Sequence, residues 1–491
     1  MDPDLSSFIT SFARIAQLAE QNRPDRVGRL LTAALEAHLG VAPASLPLIV
    51  EAFGAHRLAD ANIVLDELVA ADENSSLIGV SGQQRHHADF SDLLDPNGER
   101  GIIGEPDYTS LPVGPGEQQR FLGSGIHLFK IHGSALAVYL RQANPEYGRL
   151  QARLEILSAD PRAGDLFLVD FREAMRTSSI FRGHVISFKT SDYAESTGGV
   201  TFHHRKQMST EELILPNGIR ERIEEQVLGV GQHREFLAAH GAHLKRGVLM
   251  YGPPGTGKTH TVRYLSAKAT EHTVILLTGN TLPLVSHASE MARALQPAIV
   301  VLEDCDLIAE DRSFGHGPQP LLFEVLDAMD GLASDADVTF LLTTNRVESL
   351  ERALVQRPGR IDLAMEIPRP DFDGRKALIN LYGAKLNIAP ETVESVAETI
   401  EGTTASFTRE LVRRAILAAA IAGVVPQDAH LVAAAEELMG DTASFTRSFL
   451  GGTESPDFGN DLGGEEDGTY FGWVESGNGS QSTVEYREDP L

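Results

Sequence analysis

Eight residues, Gly252-Pro253-Pro254-Gly255-Thr256-Gly257-Lys258-Thr259, match the pattern G-x-x-x-x-G-K-[ST] at every fixed position. No other stretch limits the possible folds of this chain as sharply. Residues 247–251 before it read as a short buried strand, and 259–268 after it as a helix. A loop between strand and helix aims its backbone N–H groups and the helix N-terminus at one point, which suits a polyphosphate. Glycine is needed where the chain turns sharply and phosphate oxygens approach the backbone. Lys258 is placed to contact the β- and γ-phosphates, and the Thr259 hydroxyl to sit on Mg²⁺. His260 follows directly and belongs to the same candidate binding group.

Three further motifs narrow the chemistry. Residues 298–302 form an apolar strand that runs into Glu303-Asp304-Cys305-Asp306. Two carboxylates at a strand's end, beside a phosphate loop, can divide two tasks: one holds Mg²⁺, the other polarises the attacking water. By position Glu303 is the metal-side acid and Asp304 the base, while Cys305 reads as packing. A second apolar run, 338–344, ends in Asn345, whose amide can orient the lytic water by hydrogen bonding. Last comes Arg357-Pro358-Gly359-Arg360-Ile361-Asp362. Two arginines three apart can offer guanidinium groups to a γ-phosphate, where an arginine finger stabilises charge that grows in the transition state. If Arg357 and Arg360 reach into a neighbour's site, hydrolysis requires an oligomer.

These motifs in this order resemble the AAA family of ring-forming ATPases, over about residues 210–440. The resemblance rests on GPPGTGKT at 252–259, the Val-Val-Leu-Glu-Asp strand, Leu326-Asp327-Ala328-Met329-Asp330-Gly331-Leu332, TTN at 343–345 and RPGRID at 357–362. It implies an α/β fold with the parallel sheet of P-loop NTPases and a C-terminal helical lid. It further implies ATP and Mg²⁺ as cofactors and a homo-oligomer, a hexameric ring. Glu401-Gly402-Thr403-Thr404-Ala405-Ser406 matches the place where the family's lid meets the adenine. Two departures stand out. The family's usual acidic pair is Asp-Glu, whereas Glu303-Asp304 has the reversed order of the subgroup that contains a mitochondrial translocase. Members that thread protein place an aromatic after the strand at 274–277; this chain has Asn280-Thr281-Leu282-Pro283-Leu284-Val285-Ser286 instead.

The remaining chain is less specific. Residues 1–94 read as a helical domain, with apolar residues at helical spacing at Phe8, Phe12, Ile15 and Leu18, at Leu30, Leu31, Leu35 and Leu39, and again over 46–53 and 63–69. The Gly- and Pro-rich stretch 95–118 reads as a linker. Residues 119–206 read as a β-rich or α+β domain with strand candidates at 125–131, 136–141, 150–157, 165–171, 184–189 and 200–204, helix competing over 170–180. His86-His87 and His203-His204 read as exposed polar pairs rather than metal sites. Residues 207–370 form the expected ATPase large domain, opening with an amphipathic lead-in over 209–246. Four helices over 371–440 form the lid, and the acidic, Gly- and Ser-rich tail 441–491, which carries Trp473, is expected to be disordered.

Charge and cysteine content bound the function classes. With 69 acidic against 42 basic residues, the formal net charge of −27 argues against broad affinity for nucleic acid or anionic membrane. The one cysteine excludes intramolecular disulfides and cysteine metal clusters. The acidic N-terminus lacks the pattern of a signal peptide, and no apolar run approaches the ~18 residues of a membrane span. The expected location is the cytoplasm. The expected function is ATP-driven remodelling of a protein partner held by the N-terminal domains. Two alternatives stay open: a nucleotide-gated assembly scaffold with little turnover, and an ATPase acting on nucleic acid.

Overall fold

The computed structural model describes residues 14, 30–82, 87–95, 101–191, 194–305, 325, 327–331, 335–346 and 360–440. Expectations for the first turns of the chain, for His86, Asp306 and Arg357, and for the acidic tail lie outside the described residues.

Two sheets organise what is described. The first contains β1 (Leu48–Gly54), β2 (Ser76–Ser81), β3 (Ile102–Gly104), β4 (Asp107–Gly114), β5 (Glu117–Ile131), β6 (Ser134–Arg141) and β7 (Gln151–Ser158). Its order is β1-β7-β6-β5-β2-β3, with β4 paired to β5, and every pairing is antiparallel. Both faces are covered, which explains why β6 reads as an unbroken apolar run rather than an alternation. Leu136, Val138 and Leu140 face the helices Leu58–Val69 and Pro161–Thr177. Ala137 and Tyr139 face the helices Leu31–Leu39 and Phe90–Leu94 on the other side. The period of two is present, with apolar residues on both phases.

Several sequence expectations are corrected here. Residues 46–53 are not helical: Leu48–Gly54 pairs along its whole length with 151–157. Periodicity cannot separate a short buried strand from a helix segment, and the partner that decides lies a hundred residues downstream. The helical domain and the β-rich domain are thus one unit sharing one sheet. The presumed linker contributes two strands to it, and its turn residues form the hairpin between β4 and β5, with Gly116 at φ +78°. Residues 165–171 lie not in a strand but in the helix Pro161–Thr177. Asp160 caps this helix, accepting from the Arg162 N–H (3.0 Å), and Pro161 opens it. Ala163, Phe167, Phe171 and Met175 are buried at a helical repeat.

The second sheet contains β8 (Val185–Ser191), β9 (Ala194–His203), β10 (Arg246–Tyr251), β11 (Thr273–Thr278), β12 (Ala298–Glu303), β13 (Val338–Thr344) and β14 (Leu363–Glu366). Its order is β14-β10-β13-β12-β11-β8-β9, parallel except for the β8–β9 hairpin. β8 and β9, expected in the preceding domain, therefore extend this parallel sheet beyond β11. Buried Ile186 and Phe188 join the core that also holds Ile275, Val300 and Phe340. On the other face the lead-in packs Ile223 and Val227 against Val248, Met250 and Val301.

Four helices end the described residues: Phe372–Tyr382, Pro390–Thr399, Ala405–Ala422 and Asp428–Met439. They enclose their own core around Ile379, Val396, Phe407, Leu411 and Leu431. Asp371 and Thr404 cap the first and third. Among the described residues, no helix is long and apolar enough to cross a membrane.

Candidate functional site

In a parallel sheet with helical crossovers, a binding site forms beyond the C-terminal ends of the strands. β10, β13 and β12 lie side by side, so the phosphate loop after β10, Asn345 after β13 and Glu303-Asp304 at the end of β12 open onto the same edge. Three segments that lie far apart in the sequence become neighbours because their strands are.

The loop is shaped by its glycines and by internal hydrogen bonds. Gly252 sits at φ +145°, and a Cβ there would lie 2.3 Å from the Ile367 carbonyl oxygen. Gly255 sits at φ +77° against the lid, where a Cβ would meet Ser406 and Thr404 at 3.0 Å; the Ser406 N–H donates to the Gly255 carbonyl (3.1 Å). Gly257, at φ +113°, precedes the helix Lys258–Lys268, and nothing lies within 4 Å of the space its side chain would occupy. The Pro253 carbonyl accepts from Thr256 Oγ1 (3.0 Å), and exposed Pro254 forms the crest. The Lys258 ammonium is buried and folded over the loop, donating to the carbonyls of Gly252 (2.8 Å) and Pro253 (2.9 Å). The result is an open cradle at a helix N-terminus, with a cation aimed across it. This fits a polyphosphate.

Thr259 and Glu303 line one cavity of about 450 Å³, together with Thr278 and Arg263. His260 lines it too, but its Nε2–H donates to the Glu212 carbonyl (3.0 Å). That bond ties the helix to the lead-in segment. His203, expected as an exposed polar residue, is partly buried and bonded to Ser187 Oγ (2.8 Å). Burial raises the Glu303 carboxyl above its ordinary value, the neighbouring Asp304 charge adds to this, and Arg263 opposes both. A hard divalent cation beside it would favour the ionised form, so a Thr hydroxyl with this carboxylate suits Mg²⁺.

Asp304 has φ +54° and lies close to the amide of Asn345, with Nδ2 3.5 Å from Oδ1. The acid and the amide assigned to the water are thus adjacent. Cys305 is buried, its Sγ directed at the Leu302 carbonyl (3.4 Å), as packing requires.

Arg360 is elsewhere. It precedes β14, and its carbonyl oxygen lies against Gly247, at the start of β10 and therefore at the opposite edge of the sheet from the phosphate loop. Its guanidinium is held by the Asp330 carboxylate, with Nε donating to Oδ1 (2.7 Å) and a second nitrogen to Oδ2. Asp362 fixes this corner by accepting from the Gly247 N–H (2.8 Å). Asp330 and Thr343 stand in recognised motifs with no role assigned to them, and Arg263 stands in none. Their spacing alone does not indicate what they face.

The segment after β11 is the 3₁₀ helix Gly279–Leu284, followed by the helix Val285–Ala294. Leu282, Leu284 and Val285 are buried, and the exposed residues are Gly279, Asn280, Pro283, Ser286 and His287. Pro283 is the one exposed apolar side chain here, and no Phe, Tyr or Trp stands in this segment.

Residues 248–369 match the family described as "ATPase family associated with various cellular activities (AAA)". The 26S protease regulatory subunit 6A of Caenorhabditis elegans is 33% identical over 184 residues, 35% of this chain and 42% of that protein. The proteasome-activating nucleotidase of Methanosphaerula palustris is 32% identical over 200 residues, 38% and 47% respectively. The 26S proteasome regulatory subunit 8 of C. elegans is 33% identical over 211 residues, 40% and 50%. The chain spans about half the length of the curated relatives it matches. The matched segment runs from β10 to just past β14, and its parallel sheet has the P-loop NTPase fold.

Proposed function

We propose that an AAA-type P-loop NTPase segment makes this chain an ATP-hydrolysing subunit of a ring, a homo-hexamer, located in the cytoplasm. The observation that carries the reading is the division of the catalytic groups between the two edges of one sheet. The phosphate loop, Glu303, Asp304 and Asn345 share the C-terminal edge, while Arg360 lies at the other. A chain that holds its arginine away from its own phosphates can use it only on a neighbour's, and repeated head-to-tail contact of that kind gives a ring when the rotation between subunits closes.

In this reading the loop amides and Lys258 bind the triphosphate of ATP, and Thr259 with Glu303 holds Mg²⁺. The ion supplies neutralisation of charge on the β- and γ-phosphate oxygens. Asp304 accepts the proton of the attacking water, which Asn345 orients. Arg357 and Arg360 of the adjacent subunit stabilise the departing charge. The lid, bonded to the loop through Ser406 and Gly255, carries the nucleotide state outward as movement. The relatives' names attach them to a protease or proteasome. For this chain we infer a protein partner, held by the N-terminal unit and remodelled at the expense of ATP.

Asp304→Asn tests the core of this reading. The variant should bind ATP and assemble as the wild type does, yet hydrolyse none; normal turnover would remove Asp304 from the role of base. The same variant, incubated with extract in ATP, should retain the partner. A second reading, a nucleotide-gated scaffold with little turnover, draws on the inward-folded 3₁₀ helix after β11. Steady-state ATPase rates with and without assembly separate the two.

A further inference from the structure

We propose that Thr343 is a positioning residue for the base: its hydroxyl holds the Asp304 backbone in the left-handed conformation from which the carboxylate meets Asn345. The inference rests on the ATPase reading above and goes one step beyond it, to what places the base.

Asp304 is one of two non-glycine residues with positive φ among the described residues. An L-residue is uncommon there and needs a device to keep it. The device is visible at the end of β12. The paired register of β12 and β13 stops at Leu302–Leu342. Beyond it the chain turns left-handed at Asp304, and the next carbonyl of β13, that of Thr343, accepts from Cys305 rather than from Asp304. Thr343 supplies the acceptor for Asp304 from its side chain: the Asp304 N–H donates to Thr343 Oγ1 (3.0 Å). The following amide, of Cys305, returns to the Thr343 main-chain carbonyl (2.9 Å). One residue therefore accepts from two successive amides, one through the side chain and one through the backbone. Thr343 is fully buried and β-branched, so its hydroxyl is held by packing and has little rotamer freedom. On the far side, Cys305 is pinned within the core.

This arrangement also bears on the choice of aspartate at position 304. Aspartate and asparagine enter the left-handed region far more readily than longer side chains, because a short polar group can bond locally. At a second acidic position with φ +54°, aspartate is the carboxylate the backbone favours.

The test uses the full chain with Thr343→Val and Thr343→Ser. Valine keeps the volume, burial and β-branching and deletes the acceptor; serine keeps the acceptor. T343V should lower kcat for ATP roughly tenfold to a hundredfold, the cost of a misplaced catalytic group, while KM for ATP and nucleotide affinity stay unchanged. T343S should recover most of the rate. Hydrogen exchange at the Asp304 amide provides a readout independent of turnover, slow in the wild type and T343S and fast in T343V. A wild-type kcat in T343V, a T343S as slow as T343V, or an unprotected Asp304 amide in the wild type would each overturn the proposal. A wild type that hydrolyses no ATP while its Asp304 amide is protected would sink the ATPase reading instead and leave the backbone assignment standing.

Discussion

Arg360→Ala separates a shared site from a self-contained one, because the structure gives opposite expectations for stability and for turnover. Gly247, against which Arg360 lies, and Gly252, where the phosphate loop begins, are at opposite ends of β10. At ~3.3 Å per residue the separation is roughly 16 Å, beyond the span of an arginine side chain. The variant removes a guanidinium whose partner, Asp330, is 45% exposed at its side chain, so the lost pair is worth under about 1 kcal/mol and the melting temperature should scarcely move. Turnover should fall by about 10³ to 10⁵, as for other arginine fingers. The decisive assay mixes Arg360→Ala with Lys258→Ala. The first contributes an intact loop, the second an intact finger, and with random assortment about a quarter of the composite sites have both. ATPase activity should therefore reappear on mixing two inactive proteins. No recovery, with both variants shown to assemble together, would refute the argument from the two sheet edges.

Three further outcomes are expected. Gly255→Ala adds a Cβ 3.0 Å from Ser406 and Thr404 at φ +77°, so the loop should lose about 1–2 kcal/mol and bind a fluorescent ATP analogue more weakly; unchanged affinity would mean that the lid does not press on the loop. Asp304→Glu restores a longer carboxylate at a left-handed position and should turn over more slowly than the wild type; a faster enzyme would contradict the conformational argument. His56 is pushed down to about 4, chiefly by burial and further by Arg57 and His287. With the folded value below the ordinary 6.5, the unfolded chain takes up the proton first. Stability is then intact above about 6.5, falls as pH drops toward about 4 and levels off below, a loss of about 3 kcal/mol. His127, also pushed down to about 4 by burial, adds a similar step. Urea unfolding of His56→Gln across this range should show a shallower pH slope, and an unchanged slope would remove His56 from the account.

Local physics made the nucleotide edge legible. A glycine loop with lysine and threonine at fixed offsets has one structural use, and the strands around it are apolar because both faces of a parallel sheet are covered. The lid helices were readable for the same reason: their caps and their apolar spacing are local, and the four helices expected over 371–440 are the four observed between Phe372 and Met439. The first sheet was readable only in part: strands are expected over 125–131, 136–141 and 150–157, where β5, β6 and β7 lie, but β1 is a strand only by virtue of β7, and residues 102–114 look like a linker until β5 pairs with them.

The sequence alone therefore determined which chemical groups are available: a phosphate loop, two adjacent acids, an amide and arginines, in an order that names their strands. The tertiary structure decided where they lie relative to one another. Only the parallel sheet puts Asn345 beside Asp304 while leaving Arg360 at the far edge, and only the end of the β12–β13 ladder shows why the second acid is an aspartate. Side-chain type is written residue by residue, whereas distance across a sheet depends on strand order, which is fixed by long-range burial.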